Sequence, residues 1–281
     1  MKLHQPAAEI FVPDGLSADV ALQRTTHLAV SAHQDDIEIM ASGPILECFQ
    51  RTDRWFTGVV VTDGRGSPRN GMYAQYDDEQ MRLVRFKEQR KAATLGEYAA
   101  QVMLDYPSRE VKGASLSPVE DLAEILKATS PQAVYTHNLA DKHDTHVAVA
   151  LKVIAAIRSL PKRSRPQKLF GCEVWRGLDW LVDTDKVAFD LSGQANLQAA
   201  LLGVFDSQIS GGKCYDQASL ARRQANATYF ESHGVDTTTS LSFGMDMTAL
   251  ILEDDKEPLA FIQEYIGRFS QEVTDRFRRL S

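Results

Sequence analysis

Short apolar runs alternate with stretches of helical spacing through the first 160 residues. The runs predict strands over 27–32, 55–62, 100–105 and 132–136. The intervening segments predict helices over 38–51, 77–96, 118–129 and 145–159, with a Gly/Pro/Asn-rich loop at 63–76. In the third of these helices Ser117 stands as the N-cap, Pro118 opens the first turn and Glu120 completes a capping box. Strict strand–helix alternation argues for an α/β fold: a Rossmann-like, mostly parallel sheet with helices on both faces. After Pro161 the spacing loosens. Lys168–Trp175 and Val187–Leu191 read as strands joined by only eleven residues, too few for a helical crossover, which predicts a small antiparallel extension. Helices follow at about 194–206, 216–232 and 257–279, and residues 1–24 read as an irregular arm. The whole is expected to be one domain, with a core at about 25–210 and a C-terminal helical part at about 211–281.

Composition narrows the function. The formal net charge of −7 and a pI near 5.5 argue against a nucleic-acid partner, which calls for a basic patch. Nothing approaches the roughly 18 uninterrupted apolar residues of a membrane span, and Glu9, Asp14 and Asp19 interrupt any leader-like N-terminus. A soluble, cytoplasmic protein is expected. Cys48, Cys172 and Cys214 are odd in number and far apart, which suggests neither a disulfide framework nor a thiolate zinc site. Leu259, Ile262, Ile266, Phe269, Val273 and Phe277 form an apolar stripe in the last helix, suited to core or to a partner-facing surface, so a homo-oligomer is possible.

Chemistry concentrates at two strand ends. His33-Gln34-Asp35-Asp36 follows the first strand, and His137, Asp141, His143, Asp144 and His146 follow the fourth. In open parallel sheets, ligands bind at such carboxyl ends. Catalytic zinc takes three protein ligands and leaves one position open; nitrogen and oxygen donors also suit iron, cobalt or manganese.

The stretch Ala32-His33-Gln34-Asp35-Asp36, followed about a hundred residues later by His143-Asp144-Thr145-His146, resembles the A-H-P-D-D and H-P-D-H motifs of the PIG-L/LmbE-like zinc-dependent de-N-acetylases. Val61-Thr62-Asp63-Gly64 with Gly66, and Arg85-x-x-Glu88 with Ala92, Leu95 and Gly96, extend the resemblance over roughly residues 25–210. Gln34 replaces the usual proline, and Asp144-Thr145 replaces Pro-Asp. The resemblance implies one zinc ion per chain on His33, Asp36 and His146. It makes Asp35 the general base and His143 the group that stabilises an oxyanion or protonates the departing amine. Arg85 would bind substrate, as would Asp63 and Asp105 at the second and third strand ends. Each has a plainer reading: Asp35 as a helix N-cap, His143 as a histidine that orients a ligand, and Arg85 as an exposed i, i+3 partner of Glu88. Asp63 and Asp105 also suit ordinary turns, and His137 suits packing or capping.

The function implied is a hydrolase that removes an acyl group, acetyl above all, from a small-molecule N-acyl amino sugar or its conjugate. A metal-dependent amidase on another amide and a two-metal phosphoesterase are competing readings. A non-catalytic nucleotide-binding domain is a third, although His-Gln-Asp-Asp stands where G-x-G-x-x-G would be needed, and Asp35 and Asp36 would repel phosphate.

Overall fold

Along the first long strand, side chains alternate between two apolar layers: Leu28 and Val30 enter one core, Ala29 the other. The next strand repeats this with Val59 and Val61 against Val60. Burial on both faces is why these segments read as continuous apolar runs. The computed structural model describes all residues, Met1–Ser281. Its strands are β1 (Glu9–Phe11), β2 (His27–Ser31), β3 (Phe56–Thr62), β4 (Ala100–Tyr106), β5 (Ala133–His137), β6 (Lys168–Cys172), β7 (Lys186–Asp190) and β8 (Leu241–Asp246). They form one sheet in the order β1-β4-β3-β2-β5-β6-β8-β7. The central five are parallel; β1 pairs antiparallel with β4, β8 with β6, and β7 with β8.

The helices are α1 (Ala18–Gln23), α2 (Asp36–Met40), α3 (Ser42–Cys48), α4 (Asp78–Leu95), α5 (Ser108–Val111), α6 (Ser117–Thr129), α7 (Asp144–Ser159), α8 (Ala195–Gly203), α9 (Asp206–Ile209), α10 (Tyr215–Tyr229), α11 (Ala249–Leu252) and α12 (Pro258–Leu280). One core lies between the sheet and α6, α7 and α11; the other lies under α2, α3, α4 and α8. No helix is long and apolar enough to cross a membrane.

The mostly parallel α/β sheet with an antiparallel extension is as expected, but several elements differ. The arm at 1–24 is not irregular, since it supplies edge strand β1 and helix α1. The helix expected over 38–51 starts at Asp36 and breaks at Ala41, whose backbone leaves the helical region. Ser117 is not a cap: Leu116 is already helical, so Ser117 lacks the extended backbone that a cap needs, and no capping bond forms. The capping box instead joins Asp77 and Gln80 at α4. Strand 187–191 does not lie beside 168–175, because β8, unforeseen, inserts between β6 and β7. In α12 only Phe261 and Ile262 are buried, so most of the apolar stripe faces outward.

Two long-range ties matter for the site. Buried Arg223 of α10 donates to the Glu38 carbonyl at 2.7 Å and to Gln198 Oε1 at 3.1 Å, clamping the end of α2. The backbone N–H and hydroxyl of Ser207 both donate to the Glu88 carboxylate at 2.7 Å, joining α9 to α4.

Candidate active site

The sheet's connectivity reverses at β2, from which the chain passes to β3 and β4 on one side and later lays β5 and β6 on the other. The crevice beyond β2 and β5 is therefore a topological switch point. Both histidine clusters leave the sheet there. The turn after β2 is held tightly: Asp36 Oδ2 accepts from the His33 backbone N–H at 2.7 Å. Asp35 adopts a left-handed backbone, φ 85°, unfavourable for a residue with a Cβ. Its N–H donates to Gln89 Oε1 at 3.3 Å, and its side chain makes no capping bond. After β5, Asp141 Oδ1 accepts from the His143 N–H at 2.9 Å, and the N-cap of α7 is His143 itself. The His143 Nδ1 accepts from the Thr145 N–H at 3.3 Å, which leaves the proton of a neutral ring on Nε2.

Three donor atoms from these turns converge. His33 Nδ1 lies 3.2 Å from Asp36 Oδ2, His146 Nε2 lies 3.4 Å from the same oxygen, and the two nitrogens are 3.3 Å apart. Tetrahedral zinc with bonds of about 2.0–2.2 Å spaces its ligand atoms by about 3.3–3.5 Å, so this triangle fits one face of such a site. His146 Nδ1 lies 3.1 Å from Asp141 Oδ2, which holds its proton there and leaves Nε2 with a free lone pair. His137, Asp141 and His146 form a second close group, but His137 Nε2 accepts from the Ala32 N–H at 2.8 Å and is spent. His137 instead stacks on His146, ring centroids 3.9 Å apart.

Burial and neighbouring charge push these groups apart electrostatically. Burial raises the Asp35 carboxyl to about 6, against the pull of Arg85. Burial would raise Asp36 as well, but the charge of His146 and the hydrogen bond from His33 hold it well below the carboxylate range. Burial works to lower His146, yet the carboxylates of Asp36 and Asp141 outweigh it and raise the ring. His143 is lowered, first by burial and then by His146. The site thus couples an acidic ligand carboxylate to a neighbour poised to exchange a proton.

A cavity of about 390 Å³ opens over this group. His33, Asp35, Asp36, His143 and His146 line it together with Arg85, Lys112, Trp175, Gln208, Lys213 and Tyr215. Arg85 is not an exposed helix residue: it is 2 % exposed, with Nη2 at 3.3 Å from Asp35 Oδ2 and Nη1 at 3.6 Å from Glu88. Gly64 makes room for this packing; its φ is +72°, and a Cβ there would strike the Gln34 amide and Arg85. Asp63 and Asp105 do not reach the cavity. Asp63 turns back to Arg65 at 3.0 Å, and Asp105 is held at both oxygens by Arg82, at 2.6 and 2.9 Å. Asp141, Gln89 and the wall residues Trp175, Gln208, Lys213 and Tyr215 carried no assigned role in the sequence.

Residues 28–157 match the family model PIG-L, described as GlcNAc-PI de-N-acetylase. No curated protein matches the chain. Among solved structures, N,N'-diacetylchitobiose deacetylase from Pyrococcus horikoshii is similar with a TM-score of 0.64 at 16% identity, over 80% of this chain and 85% of that one. The 4-carboxy-2-hydroxymuconate hydratase from Pseudomonas putida gives 0.62 at 15%, over 79% and 96%. A conserved protein from Thermus thermophilus gives 0.60 at 17%, over 79% and 94%. At such identities these likenesses concern the fold. The segment that matches the PIG-L family model spans both histidine turns, from before His33 to beyond His146.

Proposed function

We propose that the protein is a metal-dependent hydrolase that removes an acyl group, acetyl above all, from the amine of an N-acyl amino sugar or its conjugate. The observation that carries this is the triangle of His33, Asp36 and His146 donors beside the buried Asp35 carboxylate, whose Oδ2 faces Arg85 Nη2 at 3.3 Å. The hydratase among the similar structures means that the fold alone does not choose the reaction. The family description and the chitobiose deacetylase favour the amide.

In this reading His33, Asp36 and His146 hold one divalent ion, zinc by the donor set, and Asp141 keeps His146 oriented. Bound there, the ion supplies Lewis acidity towards the acyl oxygen and lowers the pKa of water towards about 7. Asp35 takes the proton of the attacking water as its oxygen bonds to the acyl carbon. The His143 Nε2–H donates to the oxygen that gains charge. When the carbon–nitrogen bond breaks, Asp35 returns the proton to the amine, leaving a free amine and a carboxylic acid that releases its own proton to water at neutral pH. Arg85 opposes the rise that burial imposes on the Asp35 carboxyl.

Incubating zinc-loaded protein with N-acetylated amino sugars and their conjugates, and quantifying amine and acetate together, tests the reading. Equal release of both from at least one substrate is expected. No release from any member of the panel, with metal bound, refutes it.

A further inference from the structure

The cavity rim carries cationic charge that the rest of the chain does not neutralise. This stands out in a protein with 38 acidic and 31 basic residues. The arginines nearby are already committed: Arg65 to Asp63 and Glu79, Arg69 to Asp78 at 2.6 Å, Arg82 to Asp105. Lys112, at the end of α5, and Lys213, just before α10, line the cavity with no carboxylate partner. Lys142 is likewise without one. The ammonium groups of Lys142 and Lys213 both lie over the Trp175 ring, 5.2 and 5.6 Å from its centre. Two like charges on one indole repel each other, and the cation–π attraction of each is modest at an exposed site. A second observation points the same way. The Trp175 Nε1–H is shielded from solvent and has no acceptor in the protein, a rare state for a buried donor. Arg85, also in the cavity wall, has Nε and Nη1 without a hydrogen-bond partner. Only Asp35 and Asp36 carry negative charge in that wall, and both belong to the reaction centre.

Building on the deacylase reading, we propose that the substrate bears an anionic group, a phosphate or a carboxylate, received at the rim by Lys112, Lys142, Lys213 and the Trp175 Nε1–H. Anion oxygens satisfy the orphan N–H and relieve the repulsion between the two ammoniums. A neutral acetamido sugar does neither. The acyl amide then lies towards His143 and Asp35, and the charged group lies outward, at the edge of Trp175.

The test uses zinc-loaded full-length protein and four probes: N-acetylglucosamine, its 1-phosphate, its 6-phosphate, and N-acetylmuramic acid as the carboxylate. At least one charged probe should exceed the neutral sugar tenfold or more in kcat/KM, with a KM that rises with salt; which one does so tells phosphate from carboxylate. The pair Lys142→Gln/Lys213→Gln should lower the charged-to-neutral ratio about tenfold, as two exposed ion pairs allow. Lys213→Gln alone, remote in sequence from the histidine turn, should give part of that loss. Amine release that is equal for all probes, or greatest for the neutral sugar, overturns the anion site and leaves the deacylase reading standing. If no probe releases amine, the deacylase reading falls, and calorimetric titration of the same four probes decides the anion site. Tighter binding of a charged probe, weakened in the double variant, supports it; equal or absent binding overturns it.

Discussion

Glu38 offers a quantitative check on the polar layer beneath the reactive turn. It is 1 % exposed; its Oε1 accepts from Gln89 Nε2 at 2.8 Å and from the Tyr98 hydroxyl at 2.9 Å, while Oε2 has no partner. Burial pushes its pKa up to about 8 against those two hydrogen bonds, from an ordinary value of 4.5. A carboxyl raised on folding contributes stability that is complete below its unfolded pKa and is lost as pH climbs to the folded one. For Glu38 that window runs from about 4.5 to about 8. The full span corresponds to about 5 kcal/mol, at about 1.36 kcal/mol per pH unit; relaxation of the surroundings makes about 2–3 kcal/mol the expected loss. Glu38→Gln keeps the accepting oxygen and never ionises. Urea unfolding of both proteins at about pH 5, 7 and 8.5, with chelator present so that bound metal plays no part, should give a flatter profile for the variant. The variant should be the more stable of the two by about 2–3 kcal/mol at the alkaline end. Parallel profiles, with a constant difference at all three pH values, would refute the assignment of a buried, neutral Glu38.

Four further outcomes bear on the site. His33→Ala should lose the ion and the activity together, and full metal content by elemental analysis would discard the ligand set. Asp35→Asn should keep the ion while turnover falls about 10²- to 10⁴-fold, typical for loss of a general base; near-normal amine release would end that role. His143→Ala should raise the barrier by about 3–4 kcal/mol, as for one oxyanion donor, and excess zinc should not restore the rate. Asp141→Asn should instead weaken zinc about ten- to a hundredfold in a chelator competition and recover turnover when zinc is supplied.

The framework and the reaction centre were legible because their signals are local. A run such as Leu28-Ala29-Val30 announces a doubly covered strand, and His33 and Asp36 sit on one turn whose closure needs only its own backbone. The partners of Asp105 were not legible. That carboxylate looks free at a strand end, and nothing in the sequence says that Arg82 of α4 reaches it with two donors. β8 escaped for a similar reason. Its Leu241–Asp246 segment includes a glycine against Phe189 of β7, and its pairing depends on strands about 55 and 70 residues away. Trp175 was read as the continuation of a strand, but β6 stops at Cys172, freeing it to join the cavity wall.

The reactive donors and the far wall of the cavity come from different stretches of chain. His33 to His146 lie within the family-matched segment, whereas Trp175, Gln208, Lys213 and Tyr215 lie beyond it. Mutations in the later stretch can therefore reshape what the crevice admits without disturbing the proton-transfer groups. Ser207 and Arg223 are the exceptions, because Ser207 donates twice to Glu88 of α4 and Arg223 reaches from α10 to the Glu38 carbonyl in α2. Divergence of substrate choice is thus free to proceed along the rest of residues 174–215, while loss of Ser207 or Arg223 would be felt at the heart of the chemistry.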